Sequence, residues 1–349
     1  MSLIREVQPG DLDSLAQLAA KASFGLTTLP ADRQRLSERI DASRAGEAPL
    51  LVMVDKAGQD VIGTAGLFTQ VGDASKAEPF YAYRLERSVH RSDALDVHNE
   101  VDALHLVKLF DGPTELGTLF LDPSHRGGGI GRVLSLSRFL FIASQPESFD
   151  QQVIAELRGV IDADGCSPFW DALGRHFFQV DFPVADALSA RDKRFIAELM
   201  PTHPIYVPLL PKSAQDVIGQ VHPQTVPARK LLESEGFYFA KMVDIFDGGP
   251  CVRCDQAAIR TIRESTTCNL IETYDPPPHS RVDTLVATVH GEFRVLGCAS
   301  KRSRQGIAIP KPSKELLQLN VGDPVLVSPL VGDSLTFWSG GRPSMESSK

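Results

Sequence analysis

At 349 residues the chain exceeds one ordinary domain and is long enough to bury more than one core. With 42% hydrophobic and 23% charged residues it has the composition of a globular protein, which excludes a disordered chain, and its apolar runs (139–143, 206–210) fall far short of the roughly 20 residues of a membrane span. A net charge of −8 without a long Lys/Arg run excludes a general polyanion binder, so nucleic acid is not an expected partner and an anionic ligand must be held by local groups.

The first residues alternate as a strand over 3–7 and lack the apolar stretch of a signal peptide, so a cytoplasmic location is expected. Asp11 ahead of Leu12, Leu15 and Leu18 reads as a cap on an amphipathic helix, and a second helix is expected over 30–45. Residues 50–54 and 61–69 read as consecutive antiparallel strands. Residues 71–100 are polar and aromatic without clear period, as in a loop-rich insertion or strand extension near a site. The stretches 104–110 and 115–121 are expected to form a hairpin over Asp111-Gly112-Pro113. Residues 132–144, with apolar Val133, Leu134, Leu136, Phe139, Leu140 and Phe141, predict a largely buried helix, followed by a strand at 153–157.

Ser167 caps a helix that has Pro168 at its first position and ends near Phe178. A strand at 217–221 and a helix at 227–235 closed by Gly236 read as a second, partial copy of the same unit. Beyond Asp247-Gly248-Gly249-Pro250 short strands (283–289, 293–296, 323–327) predict a small β-rich tail with a disordered Ser/Lys end. Five dispersed cysteines, Cys166, Cys251, Cys254, Cys268 and Cys298, suit reduced thiols, and Cys251-x-x-Cys254 has no second pair with which to hold a metal.

The segment Leu119-Phe120-Leu121-Asp122-Pro123-Ser124-His125-Arg126-Gly127-Gly128-Gly129-Ile130-Gly131-Arg132 sets a glycine-rich turn between a strand and a helix. Amides at a helix N-terminus are unpaired and, with the helix dipole, form an anion site suited to a pyrophosphate, which glycines allow to approach the main chain. No Gly-Lys-Ser/Thr ends the loop, and the preceding strand, two helices and antiparallel strands are the wrong order for a dinucleotide fold. Arg132 at the helix start is placed to neutralise phosphate charge, whereas His125 reads as an exposed turn residue.

The spacing Arg126-x-x-Gly129-x-Gly131 resembles the coenzyme A pyrophosphate loop of the GCN5-related N-acyltransferase superfamily. The resemblance narrows over residues 24–30, 153–160, Ser167-Pro168-Phe169-Trp170, 195–206 and 217–229, which are similar to the arginine N-succinyltransferase family across about residues 1 to 260. It implies a mixed α+β fold, a central, mostly antiparallel sheet flanked by helices, with a second partial copy and a small β-rich tail. The expected divisions are an acyl-CoA-binding unit at 1–185, a strand/helix unit carrying the catalytic residue at 186–250, and the tail at 251–349.

The resemblance also implies an activity. Succinyl would pass from succinyl-CoA, a cosubstrate and not a permanently bound cofactor, to the α-amino group of arginine. Arg126, Gly127, Gly128, Gly129, Ile130, Gly131 and Arg132 would hold the coenzyme, with Leu119 carried over from the family's Thr-Leu-Phe-Leu-Asp-Pro context and His222 as the catalytic residue from Gly-Gln-Val-His-Pro-Gln-Thr. His222 stands before Pro223, which biases it to an extended conformation, and a histidine titrates near neutral pH; the resemblance implies that it is the acid that protonates the leaving sulfur. The chain departs from the family at Val107-Lys108-Leu109-Phe110-Asp111-Gly112-Pro113, which bears on substrate contact.

Glu156, Asp162 and Glu198 are candidate partners of a guanidinium, and Arg158 and Arg175 of the succinyl carboxylate. Other readings stay open: another donor or an amine such as ornithine, a non-catalytic member of a paired, non-identical assembly, or a homo-oligomer.

Overall fold

The computed structural model describes residues 2–22, 28–55, 58, 60–189, 193–277 and 279–331. The expected segment at 24–30 therefore falls largely outside the described residues, as does the Ser/Lys end of the chain expected to be disordered.

In chain order, β1 (Leu3–Glu6), α1 (Leu12–Ala19) and α2 (Arg33–Arg44) precede β2 (Leu50–Val54) and β3 (Val61–Phe68). The carboxylate of Asp11 does not cap α1; it accepts from Gln8 N and pairs with Arg5 at 2.7 Å, while Asp32 caps α2 through Arg35 N. Next come β4 (Phe80–Ser92), β5 (Val97–Leu109), β6 (Thr114–Leu121), α3 (Ile130–Ser144) and β7 (Gln152–Glu156). The loop-rich reading of 71–100 is corrected here: β4 and β5 form one hairpin with thirteen paired positions, from Phe80↔Leu109 to Ser92↔Val97. The expected hairpin of β5 with β6 does not form, because β5 is taken up by β4 and β6 pairs with β3 and β7.

Short helices α4 (Pro168–Ala172), α5 (Gly174–Phe178), α6 (Phe182–Ser189) and α7 (Arg194–Leu199) then lead through β8 (Ile205–Tyr206) and α8 (Lys212–Gln215) to α9 (Val226–Ser234). They gather Trp170, Phe169, Phe178, Phe182 and Phe246 into a cluster against Tyr81 and Tyr83 of the hairpin, with the Trp170 ring stacked on Phe246. The expected strand at 217–221 is a turn: Gln220 N bonds back to Val217 O and Gly219 N to Gly248 O, so the second copy lacks its strand.

The chain continues with β9 (Tyr238–Val243), β10 (Pro250–Asp255), α10 (Arg260–Arg263), β11 (Thr266–Tyr274), β12 (Thr284–Thr288), β13 (Arg294–Cys298), β14 (Lys301–Ser303), β15 (Gly306–Pro310), α11 (Lys311–Leu317) and β16 (Pro324–Pro329). One sheet joins all of them in the order β14-β15-β11-β16-β12-β13-β1-β2-β3-β6-β7-β10-β9-β4-β5-β8, crossing the expected divisions at 185 and 250. The C-terminal strands attach through β13 to β1, and Leu285, Val295 and Leu326 pack in the same core as α3.

Helices α1 and α2 cover one face of the central strands and α3 the other, so β2, buried along its whole length, reads as a continuous apolar run. The parallel pair β6 and β7 is the discontinuity that matters. A parallel pair needs a crossover, and α3 supplies it, returning from the end of β6 to the start of β7. The two strands pair only at Thr114↔Val153 and Glu115↔Ile154, after which the remainder of β6 has no partner on that side.

Candidate active site

The glycine turn sits where the sequence places it, between β6 and α3. Asp122 opens it, accepting from Ser124 N and Ser124 Oγ and pairing with Lys21 at 2.7 Å, contacts that hold its carboxyl far below the usual range. Gly127, Gly128 and Gly129 follow with φ of +117°, +58° and +81°, a run that side chains resist. Among the described residues the amides of these three glycines donate to no protein acceptor. They stand at the N-terminus of a fifteen-residue helix, where orphan amides and the dipole favour an anion.

Where β6 and β7 part, a groove of about 920 Å³ opens. Leu119, Arg126, Gly127, Gly129, Gly131 and Arg132 line it, all expected coenzyme residues; Gly128 and Ile130 do not, Ile130 packing instead against the core. Arg138 of α3 also lines it, a 2% exposed cation bonded, among the described residues, only to Ser135 within its own helix and pushed down to about 10 by burial. Beside Leu119, β6 bulges: its register with β3 shifts between Thr64 and Gly66, Thr118 takes φ +52°, and the Thr64 hydroxyl donates to Thr118 O at 2.8 Å.

A second cavity of about 380 Å³ adjoins the groove. Arg35, Glu38 and Arg39 of α2, Phe68, Tyr81 and Lys193 line it, and Thr28, Glu115, Glu156, Asp186, Asp244 and Phe246 line both cavities. Burial is the first cause of raised carboxyls here, pushing Glu115 and Asp186 up to about 7 and Glu156 well above its ordinary range; the charge of Asp244 adds to all three, and Lys193 opposes it at Glu115 and Glu156. Asp244 and Asp247 spend their oxygens on backbone amides, Asp244 on Phe246 and Asp247, and Asp247 on Gly159 and Gly249. No such bond occupies the carboxylates of Glu115, Glu156 or Asp186 among the described residues. Arg39 Nε, Thr118 Oγ1, Glu156 Oε1 and Arg158 Nε are buried with no hydrogen-bond partner, and all four residues line one cavity or the other. Native interiors seldom leave such atoms unsatisfied, so this cluster calls for a water or a ligand to complete it.

His222 lies just before the groove-lining stretch and outside the central strands; it does not itself line the groove or the smaller cavity. Its backbone is extended (φ −55°, ψ 142°), as its place before proline predicts, and its N–H bonds to Arg158 O at 2.9 Å just beyond β7. The ring Nδ1 accepts from Gln224 N at 3.2 Å, which puts the proton of the neutral imidazole on Nε2. Burial, then the charge of Arg158, hold the ring below its usual pKa and therefore neutral. Gln224 and Thr225, the residues beyond Pro223, line the groove itself.

Of the guanidinium candidates only Glu156 lies in these cavities; Asp162 caps an exposed turn through Asp164 N and Cys166 N, and Glu198 is exposed on α7. Arg158 lines the groove, whereas Arg175 is exposed and paired with Asp171 and Asp181. Cys251 and Cys254, three apart on β10, fall in different hydrophobic clusters and cannot share a metal. Sequence reasoning missed Glu115, Asp186, Asp244 and Arg39, since each is an unremarkable charge until the sheet assembles. His125 is exposed in its turn, with Ser124 Oγ 3.0 Å from its Nδ1.

Fold and groove together define an acyl-CoA-dependent N-acyltransferase. The family model described as AstA, arginine N-succinyltransferase beta subunit, matches residues 2–261. The arginine N-succinyltransferase of Enterobacter sp. (strain 638) is 42% identical over 336 residues, covering 93% of this chain and 96% of its own, and that of Citrobacter koseri is 41% identical over 347, covering 96% and 100%. The solved arginine/ornithine succinyltransferase subunit AI of Pseudomonas aeruginosa superposes with a TM-score of 0.85 at 31% identity, covering 95% of this chain and 99% of that one. The chain belongs to the arginine N-succinyltransferase family.

Proposed function

We infer that the chain transfers the succinyl group of succinyl-CoA to the α-amino group of L-arginine, giving N2-succinyl-L-arginine and free coenzyme A. The observation that carries this reading is the junction of the two cavities: a groove beginning at unpaired helix amides opens into a pocket of buried carboxylates whose side-chain oxygens, among the described residues, bond to no protein donor at Glu115, Glu156 and Asp186. The groove suits a donor bearing a pyrophosphate, and the pocket suits a cationic acceptor. Glu156 and Asp186 are the guanidinium partners, since their oxygens remain unspent. Arg126 and Arg132 flank the phosphates, Leu119 borders the acyl arm, and Arg158 is the groove arginine available to the donor's carboxylate.

In the reaction the neutral α-amine attacks the thioester carbonyl; the C–N bond forms, the C–S bond breaks, and its electron pair leaves on sulfur. Glu115, balanced near neutrality and lining both cavities, takes the amine proton. His222 presents Nε2–H to the departing sulfur while Gln224 holds Nδ1, stabilising the developing thiolate. The proton held by Glu115 then passes through solvent to the thiolate, so the net change moves one proton from nitrogen to sulfur and both side chains return to their starting states. No helix among the described residues is long and apolar enough to cross a membrane, and a cytoplasmic location belongs to the same reading.

Release of free thiol by the purified chain, measured across a matrix of succinyl- and acetyl-CoA against arginine and ornithine, tests it. Succinyl-CoA with arginine is expected to give the highest kcat/KM. Absence of thiol release from that pair at millimolar concentrations overturns the reading, and a higher value for another pair replaces the substrate assignment.

A further inference from the structure

Arg138 is a buried cation that the transfer reaction leaves unused. It is 2% exposed, and among the described residues no carboxylate lies within 4.0 Å of it, so nothing there offsets the cost of burying its charge. Its Nε donates to Ser135 O at 3.1 Å and its Nη2 to Ser135 Oγ at 2.8 Å, contacts one turn back on its own helix that orient the fork without neutralising it. Its Nη1 makes no bond among the described residues and is not one of the buried orphan atoms, so it keeps an opening, and the space that Arg138 lines is the groove.

The helix fixes where along the groove this donor stands. Gly131, Arg132, Ser135 and Arg138 line it at the three- and four-residue spacing of one face of α3, in a row leading away from the glycine turn. Because the fork is drawn back to Ser135, it lies roughly 9 Å along the axis from Gly129, at about 1.5 Å per residue. That is past the loop amides, where Arg126 and Arg132 already flank the phosphates. It also stops short of the acceptor pocket, since Arg138 does not line the smaller cavity and pairs with neither Glu115 nor Glu156. Between those two ends the groove is walled largely by apolar side chains, among them Leu134 of α3, Leu157 just beyond β7, and Leu231 and Leu232 of α9. With the groove read as the donor's channel, on which this inference rests, the part of coenzyme A between phosphates and sulfur is the pantetheine arm, an uncharged chain whose strong acceptors are amide carbonyls. Apolar walls suit such a chain, and a charged donor among them makes a stronger hydrogen bond to it than a neutral one would.

We propose that the Arg138 guanidinium, oriented by Ser135, donates from Nη1 to an amide carbonyl of the pantetheine arm. The contact sets how far the donor slides into the groove, and so where its thioester comes to rest relative to the acceptor pocket. It belongs to the carrier and not to the acyl group, so it is made equally with free coenzyme A and with the succinyl thioester.

The test is calorimetry of three probes on wild type and Arg138→Met, which keeps an unbranched stem and removes the charge. The probes are 3′-phospho-ADP, which has every phosphate and no arm, coenzyme A, which adds the arm, and succinyl-CoA, which adds the acyl group. Arg138→Met is expected to bind 3′-phospho-ADP as wild type does, to lose about 10- to 10²-fold in affinity for coenzyme A, and to lose no more for succinyl-CoA. A loss already present with 3′-phospho-ADP assigns the group to the phosphates or to the fold and overturns the proposal. A loss that appears only with succinyl-CoA moves it to the acyl group, and wild-type affinity for all three leaves it bonded to water; either overturns the proposal. Should Arg138→Met fail to fold, Arg138→Gln, which keeps a donor for Ser135, carries the same comparison. Coenzyme A that binds wild type without thiol release in the transfer assay sinks the transfer reading and leaves this site decided by the probes. Failure of millimolar coenzyme A to bind wild type overturns the proposal together with the reading of the groove.

Discussion

Replacing Gly129 with alanine, with Gly128→Ala as its control, separates the structural cost of the coenzyme turn from its ligand contact. Both glycines have positive φ, +81° and +58°, and nothing lies within 4 Å of a Cβ at either position. The cost to the fold is therefore backbone strain without collision, about 1–2 kcal/mol for an L-residue in the left-handed region. In a chain of this size that lowers the melting temperature by a few degrees, roughly 2–4 °C per kcal/mol, and by a similar amount in both variants. Ligand binding should part them, because Gly129 lines the groove and Gly128 does not. A methyl on Gly129 stands between the loop amides and the phosphates, and losing one hydrogen bond to a charged group costs about 1.5–3 kcal/mol, or roughly 10- to 10²-fold in affinity. Gly128→Ala is expected to bind within about threefold of wild type on the same reasoning. Calorimetry of succinyl-CoA binding beside scanning calorimetry of each variant reads both quantities. Equal affinity losses in the two variants, or wild-type affinity in Gly129→Ala, would refute the assignment of the groove.

His222→Ala should reduce kcat by about 10²- to 10⁴-fold with little change in either KM, read by thiol release; an unaltered kcat removes the ring from the mechanism. The raised carboxyls of Glu115 and Asp186 bind more protons in the folded than the unfolded chain between about pH 4, their ordinary range, and pH 7, and Glu156, raised well above that range, does so from about pH 4 upward. Their contribution is thus present below that window and is lost as pH rises through it. Glu156→Gln should make the melting temperature fall less between pH 5 and 8 than in wild type, and a steeper fall in the variant contradicts the burial argument. Arginine should bind more tightly at pH 8 than at pH 6, releasing protons, since a guanidinium favours the ionised carboxylates; titration in buffers of different ionisation enthalpy measures the release. Arg175→Ala removes only exposed pairs with Asp171 and Asp181 and should cost less than about 1 kcal/mol, with the KM for succinyl-CoA unaltered. A raised KM would return Arg175 to the site.

Local signals were legible wherever chain neighbours decide the outcome. The run Leu50–Val54 is a strand because its residues are apolar and β-rich; Ser167 caps α4 through Trp170 N at 3.2 Å; and three successive glycines announced a turn that only glycine adopts readily. His222 was extended because proline follows it. The misreadings have the opposite origin. Residues 217–221 carry strand-like side chains but find no strand to pair with and fold into a turn, and β4 lacks a clean period because its far half is exposed on both sides while its near half is buried.

The sequence by itself determined the glycine turn, the helix behind it and the family, since each resides in a short run of adjacent residues. The tertiary structure alone decided the pocket proposed for the acceptor. Glu115, Glu156, Asp186 and Asp244 are spread over 130 positions and meet only because β6 and β7 stay paired for two residues and then part, leaving side chains of distant segments around a space that no backbone fills. Their raised carboxyls, and the lowered guanidinium of Arg39 in the same cavity wall, are properties of that enclosure and of its desolvation, which no local pattern encodes.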